Sequence, residues 1–202
     1  MYRGIIILCL LMIIFSCAKN KTINSSSSLS FGADETLDII TWNIENFPKQ
    51  NNITINYLAE LIDSLNVDII SMQEIESETA FMNLINKLDG WEGYCANSAS
   101  YNINLAFLYS ENLEVDSIHE IFEDDWWSFP RPPLVAQIVW NDQNVYIINN
   151  HFKAMGGPEN EDRRKSASEK LENYVNENWR DKNIIILGDL NDELNDEGVN
   201  VF

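Results

Sequence analysis

Asn183-Ile-Ile-Ile-Leu-Gly-Asp-Leu-Asn-Asp192 is the stretch that decides the fold. It joins an apolar run, Ile184–Leu187, to a polar turn that carries Asp189 and Asn191. An unbroken apolar run of this length suits a strand buried on both faces of a sheet. In open α/β sheets, ligand sites collect at the carboxyl ends of the strands. The stretch therefore predicts an α/β sheet with a functional site at Asp189 and Asn191.

The same arrangement recurs at three earlier apolar runs. A polar residue follows each run: Asn43 after Leu37–Trp42, Glu74 after Val67–Met72, and His151 after Val145–Asn149. Taken singly, such residues are ordinary turn, loop or structural residues. Four polar strand ends together predict one shared site. Because hard divalent cations prefer carboxylate and amide oxygens, we expect a Mg²⁺ or Mn²⁺ site that hydrolyses a phosphate ester.

The remaining segments alternate between helical and strand patterns. Apolar residues at helical spacing predict helices at Ile53–Asn66, Thr79–Leu88 and Arg163–Trp179. Further strands are predicted at Leu105–Tyr109, Leu113–Ile121 and Leu134–Trp140, with a hairpin connection at Asp142–Gln143. Helices mixed with hairpins and buried strands predict a layered α/β sandwich in a single domain.

The N-terminal segment differs from the rest of the chain. Arg3 precedes an apolar run that is shorter than the roughly 20 residues of a membrane span, and Ser16-Cys17 resembles a bacterial lipobox. We therefore predict a signal peptide at 1–17 with lipidation of Cys17, a flexible tether at 18–35, and a domain at 36–202. This hypothesis describes an exported lipoprotein of the cell envelope, on the outer membrane or periplasmic face. A cleaved secretion signal and a retained anchor are the alternatives.

The charge of the chain is strongly acidic. Its 32 Asp and Glu residues outnumber 13 Lys and Arg residues, which gives a net charge of −19. This argues against a general polyanion-binding surface, so any nucleic-acid binding would be local and metal-assisted. The alternative is that the acidity serves solubility. Cys95 is the one cysteine of the predicted domain, so we expect no disulfide framework.

The motifs together resemble the endonuclease/exonuclease/phosphatase superfamily, the fold of deoxyribonuclease I and exonuclease III. The matching stretches, in matching order, are Thr41–Phe47, Gln73–Glu74, Arg131–Leu134, Asn149–Lys153 and Gly188–Asn191. The resemblance covers about residues 37–192. It implies a four-layer α/β sandwich, in which helices flank two packed mixed β-sheets.

The resemblance also implies a role for each motif residue. The metal ion, Mg²⁺ or Mn²⁺, is expected at Asn43, Glu74 and Asp189. The expected catalytic residues are His151, Asp189, Asn191 and Tyr101, and the expected contacts to a substrate phosphate are Arg131 and Lys153. For Tyr101, Arg131 and Lys153, the alternative is an ordinary surface position.

A metal-dependent phosphodiester hydrolase follows from the resemblance, most simply an endonuclease-like monomer that acts on DNA or RNA. The alternatives are a phospholipid or small-phosphate phosphodiesterase or phosphatase of the same fold, and a non-catalytic surface lipoprotein. The superfamily closes its site with a C-terminal Ser-Asp-His-like motif, and neither His119 nor His151 has that context. We therefore expect a domain that lacks its C-terminal strands, and weak or no activity from the chain alone.

Overall fold

Two four-stranded β-sheets pack face to face in the computed structural model, which describes residues 31–33 and 35–193. The predicted signal peptide at 1–17, with Cys17, lies outside the described residues, as do most of the predicted tether at 18–35 and the last part of the predicted domain. Across the described ranges, no helix has the length and apolar character needed to cross a membrane.

The first sheet is formed by the first half of the described chain. Its strands are β1 (Ile39–Phe47), β2 (Ile69–Ile75), β3 (Trp91–Cys95) and β4 (Asn104–Ser110), in the order β1-β2-β4-β3. Strands β1 and β2 are parallel and are connected by helix α1 (Asn52–Leu65). The other pairs are antiparallel, and helix α2 (Glu78–Ile85) precedes β3.

The second sheet is formed by the second half of the described chain, and its arrangement of strands is similar. Its strands are β5 (Glu114–Glu120), β6 (Leu134–Trp140), β7 (Gln143–His151) and β8 (Asn183–Asp189), in the order β5-β6-β7-β8. Strands β7 and β8 are parallel and are connected by helix α3 (Pro158–Asn178). Both sheets are therefore mixed, and each contains one parallel pair with a helical crossover.

Alternating side chains divide the interior into three apolar layers. On β2, Ile69 faces the second sheet, whereas Ile70 and Met72 pack against α1 and α2. On β7, Ile147 faces the first sheet and Ile148 packs toward α3. Because successive strand residues point to opposite faces, both faces of each sheet are covered. The predicted α/β sandwich, with two packed mixed sheets flanked by helices, is confirmed.

Several element boundaries differ from the sequence-based expectations. Strand β3 was not predicted, because Gly93 interrupts its short sequence. The strand lies at the edge of the sheet and pairs only with β4. Helix α3 begins at Pro158, before the predicted start at Arg163, since proline is well suited to the first turn of a helix. The tight turn between β6 and β7 lies at Asn141–Asp142, one residue before the predicted position. Both turn residues have positive φ, as a two-residue hairpin turn requires.

One buried amide connects the two sheets. The Nδ2 atom of Asn149, on β7, donates hydrogen bonds to the carbonyl oxygens of Met72 (3.0 Å) and Ala106 (3.1 Å), on β2 and β4. Its Oδ1 atom accepts a 2.8 Å hydrogen bond from Nε2 of Gln73. All of these groups are shielded from water, so each hydrogen bond satisfies an atom that would otherwise be costly to bury.

Replacing Asn149 by alanine is expected to lower the free energy of unfolding by about 3 kcal/mol, because it leaves buried partners unsatisfied on the opposite sheet. Urea unfolding of Asn149→Ala would measure the change. Asn144→Ala is the matched control, since Asn144 lies on the same strand and is exposed. Equal stability of the two variants would contradict the structural role assigned to Asn149.

Candidate active site

The carboxyl ends of β1, β2, β7 and β8 meet at one edge of the sandwich. Three side chains converge there: Glu74 from β2, His151 from β7 and Asp189 from β8. One ligand-type atom from each of the three lies within 4.8 Å of the others. The two parallel pairs explain this convergence, because parallel strands bring their carboxyl ends to the same edge.

A β-bulge directs Glu74 into the site. The pairing of β2 with β4 shifts register between Gln73 and Ile75, and Glu74 has a φ of 66°. In a regular strand, Glu74 would point toward the helices, as Met72 does. A bulge changes this direction, and bulges are common beside active sites. The backbone N–H of Asn46 then donates to Oε2 of Glu74 at 3.0 Å.

Asn43 links the two carboxylates. Its Nδ2 atom donates to Oε1 of Glu74 at 2.9 Å and to Oδ2 of Asp189 at 2.8 Å. Its Oδ1 atom accepts from the backbone N–H of Glu45 at 3.0 Å. The two anionic oxygens therefore share a single donor. They would repel each other without a positively polarised group between them.

His151 completes the group as a neutral side chain. Burial and the nearby charge of Arg131 lower the pKa of His151 to about 4, although Asp189 and Glu74 act in the opposite direction. Its Nε2 atom lies 3.9 Å from Glu74 Oε1 and 3.8 Å from Asp189 Oδ2. With a neutral imidazole at neutral pH, these contacts are not ion pairs. Nδ1 is buried and has no hydrogen-bond partner among the described residues.

The end of β8 and the turn after it position Asp189 and Asn191. Gly188 has a φ of 127°, and a Cβ at this position would lie 2.0 Å from the carbonyl oxygen of Asn150, so only glycine fits. The backbone N–H of Asn191 donates to Oδ1 of Asp189 at 2.9 Å. This bond leaves Oδ2 directed at Asn43 and His151. Asp189 and Asn191 line an open cavity of about 430 Å³ together with Asn43.

The donor set fits a hard divalent cation. Carboxylates are the ligands that Mg²⁺ and Mn²⁺ prefer, and an imidazole is acceptable to Mn²⁺. The side-chain nitrogen of Asn43 contacts both carboxylates at hydrogen-bond distance, in the place where a positive charge would be favoured. Glu74, Asp189 and His151 could therefore hold such an ion, and Asn43 could join them if its amide turned over to present Oδ1.

The structure places the other candidate residues beside this group. Arg131 donates from Nη1 to the carbonyl oxygen of Phe152 at 3.4 Å. Arg131, Lys153 and Tyr101 line a second, smaller cavity, and Tyr101 is almost fully exposed. His119 lies on the exposed side of β5 and takes no part in the site.

Sequence reasoning missed three residues around the site. Asn46 contacts Glu74 through its backbone, which no sequence pattern marks. Trp126 and Arg163 line the second cavity together with Tyr101 and Arg131. The adjacent pair Trp126-Trp127, in a segment between predicted strands, was the available signal, because large aromatic side chains in a loop are unusual.

The fold and the family model agree on the class of protein to which this chain belongs. The chain belongs to the Endonuclease/Exonuclease/phosphatase family, whose model matches residues 40–202. The predicted resemblance is therefore confirmed. Members of this family are hydrolytic phosphoesterases. Comparison with curated proteins gives no match.

Solved structures show the same fold at low sequence identity. TDP2 of D. rerio, in complex with a single-strand DNA product, has a TM-score of 0.62 and 15% identity, over 78% of this chain and 61% of that one. A mannosyl-6-phosphatase of Bacteroides thetaiotaomicron has a TM-score of 0.60 and 12% identity, over 80% and 68%. A hairpin-deletion mutant of the Staphylococcus aureus beta toxin has a TM-score of 0.59 and 15% identity, over 81% of this chain and 70% of that one. The chain thus spans less than two thirds of the length of the TDP2 structure.

The Gly188→Ala substitution is expected to lower the free energy of unfolding by about 3 kcal/mol, because it combines a backbone clash with an unfavourable φ. Thermal unfolding would measure the loss. Gly156→Ala is the control, since a Cβ there meets nothing within 4 Å. If both variants unfolded at the wild-type temperature, the described conformation of the turn would be wrong.

Proposed function

We propose that this protein is a metal-dependent phosphodiester hydrolase with endonuclease-like activity on DNA or RNA. The observation that carries the proposal is the convergence of Glu74, His151 and Asp189 within 4.8 Å at the ends of three strands. Membership of a phosphoesterase family supports it, as does the likeness of the fold to a TDP2 in complex with single-strand DNA.

Glu74, Asp189 and Asn43 would hold a Mg²⁺ or Mn²⁺ ion. Such an ion neutralises the charge that develops on a phosphate during hydrolysis and polarises its P–O bonds. The backbone of Asn46 fixes one oxygen of Glu74, and the backbone of Asn191 fixes one oxygen of Asp189. Each carboxylate therefore has one oxygen restrained by the backbone and one directed into the site, which reduces the entropy lost on binding.

The remaining groups would act on the phosphate and on water. Neutral His151 can contact a phosphate oxygen, and the guanidinium of Arg131 supplies positive charge nearby. Asp189 and Asn191 present oxygen and nitrogen atoms that can orient a water molecule for in-line attack on phosphorus. The attack forms a new P–O bond and breaks the ester bond opposite; the water gives up a proton, and the departing alkoxide takes up a proton to become an alcohol.

We also propose that the protein acts outside the cytoplasm as a lipoprotein attached through Cys17. The apolar run at 5–15, followed by Ser16-Cys17 and a polar segment, supports this location. Mass spectrometry of the N-terminal peptide tests it directly. An unmodified Cys17 in protein isolated from its own cell envelope would exclude the lipid anchor.

A second candidate substrate is a phospholipid headgroup or a small phosphate ester. The net charge of −19 favours this candidate, because a long nucleic-acid backbone would be repelled away from the site. The fold likeness to a mannosyl-6-phosphatase is in keeping with it. Both candidates use the same metal site, so they differ only in what surrounds the phosphate.

Calorimetry with Mn²⁺ tests the metal site. Glu74→Gln is expected to weaken Mn²⁺ binding at least tenfold, because it removes one of two carboxylates, and removing even a group that only hydrogen-bonds to a metal ligand costs about this much. Glu76→Gln is the matched control, since Glu76 is exposed and lies two residues further along the chain. Equal Mn²⁺ affinity in both variants would remove Glu74 from the metal site.

Hydrolysis assays with Mg²⁺ on plasmid DNA and on sphingomyelin distinguish the two substrates. Asp189→Asn is expected to lower the rate by about 10²–10³, the usual cost of removing one preorganised group. Asp181→Asn, at an exposed turn position, should keep the wild-type rate. Cleavage of sphingomyelin without cleavage of DNA would overturn the endonuclease proposal.

A further inference from the structure

A cationic and aromatic pocket lies next to the metal site. We call it the aromatic-cationic pocket and define it by Tyr101, Trp126, Arg131, Lys153 and Arg163. Its volume is about 220 Å³. Three of its five side chains are positively charged, in a chain whose net charge is −19. So dense a group of cations in an acidic protein calls for a specific explanation.

The three cations of the pocket lack acidic partners. Within residues 31–33 and 35–193, the ion pairs involve other cations, and none includes Arg131, Lys153 or Arg163. Because these three cations line one cavity, they repel one another. The Nε atom of Arg131 is buried and has no hydrogen-bond partner in the described part of the chain. An anion in the pocket would relieve this repulsion and give Arg131 a partner.

The aromatic side chains of the pocket face water. Tyr101 is 92% exposed and Trp126 is 68% exposed. Arg163 holds the backbone of Trp126 and Trp127, because its Nη2 atom donates to the carbonyl oxygen of Trp126 at 3.2 Å and its Nε atom to that of Trp127. The guanidinium carbon of Arg163 also lies 5.9 Å from the centre of the Trp127 ring.

Contacts on both sides anchor the loop that carries Trp126. Phe122 stacks on buried Phe129 with ring centres 4.6 Å apart. Between them, Oδ1 of Asp125 accepts from the backbone N–H of Ser128 at 3.2 Å, and Oδ2 pairs with Lys170. The exposed indole is therefore held on a well-packed loop. A fixed, exposed aromatic surface is typical of a binding site.

Shared contacts join the pocket to the metal site. The carbonyl oxygen of Phe152 accepts from Nη1 of Arg131 at 3.4 Å and from Nδ2 of Asn191 at 3.2 Å. Phe152 itself lies between His151 and Lys153 in the chain. Arg131 therefore lines the pocket and shares a carbonyl acceptor with Asn191, which lines the cavity at Asp189.

We propose that the aromatic-cationic pocket is a nucleotide subsite, in which Trp126 and Tyr101 stack on an unpaired base while Lys153 and Arg163 contact the phosphate next to the scissile one. The inference rests on the proposed function, and it narrows the substrate to single-stranded nucleic acid. Aromatic side chains stack on bases of any sequence, but only where the bases are not already stacked in a duplex. The acidic remainder of the surface limits the contact to a short segment.

The salt dependence of binding follows from the number of cations. Three cation–phosphate contacts predict a slope of about −2 for the logarithm of the association constant against the logarithm of salt concentration. A slope near zero would mean that Arg131, Lys153 and Arg163 do not contact phosphates.

Fluorescence anisotropy of a labelled oligothymidylate of about eight nucleotides, with Ca²⁺ and the full chain, tests the subsite. Trp126→Ala is expected to bind about tenfold more weakly than wild type, whereas Trp126→Phe should retain most of the affinity. Tyr57→Ala is the matched control, because Tyr57 is also an exposed aromatic residue but lies on α1. Calorimetry with Mn²⁺ on Trp126→Ala verifies that this variant keeps its metal site.

Three results would overturn the inference. They are equal binding by Trp126→Ala and wild type, equal affinity for a duplex of the same length, and tighter binding to phosphatidylcholine–sphingomyelin vesicles than to the oligonucleotide. Hydrolysis of bis(p-nitrophenyl) phosphate by wild type tests the proposed function separately, because this diester has no neighbouring nucleotide. Hydrolysis with unchanged binding in Trp126→Ala would refute the pocket alone, and the expected oligonucleotide binding by a protein that neither binds Mn²⁺ nor hydrolyses the diester would refute the proposed function alone.

Discussion

The hydrogen bonds of Asn149 are the constraint on which the rest of the site depends. Gln73, on β2, donates a hydrogen bond to Asn149 and directly precedes Glu74, and Asn149 lies two residues before His151. The contact therefore sets the separation of the two sheets at the edge where their functional side chains meet. Apolar packing alone can slide by small steps, whereas a buried amide with three partners has one good position.

The layered fold, and the closeness of Glu74, His151 and Asp189, could be predicted from the sequence, because both depend on local patterns. Apolar runs that end in polar residues indicate where strands stop, and parallel pairing brings those ends together. The bulge at Glu74 and the contact of Asn46 could not be predicted, since they depend on register between strands. Strand β3 is stabilised by its pairing with β4, and Glu92 and Gly93 interrupt the strand-forming residues of its short sequence.

The site combines two regions of opposite charge. On one side, Glu74 and Asp189 create a negative region suited to a cation, and on the other, Arg131, Lys153 and Arg163 create a positive region suited to an anion. A phosphodiester with a bound divalent ion carries both signs of charge and matches this arrangement. The acidic remainder of the protein does not obscure it, because salt screens distant charges more effectively than nearby ones.

The order of the strands along the chain also affects the order in which the two sheets can form. The first sheet uses residues 39–110 alone, and the second uses residues 114–189, so neither needs the other to complete its hydrogen-bonded ladders. During synthesis, the first sheet can form before the second has left the ribosome. Glu74 is therefore synthesised early, with the first sheet, whereas His151 and Asp189 are synthesised late, with the second. The cluster of Glu74, His151 and Asp189 therefore exists only where the two sheets have packed together.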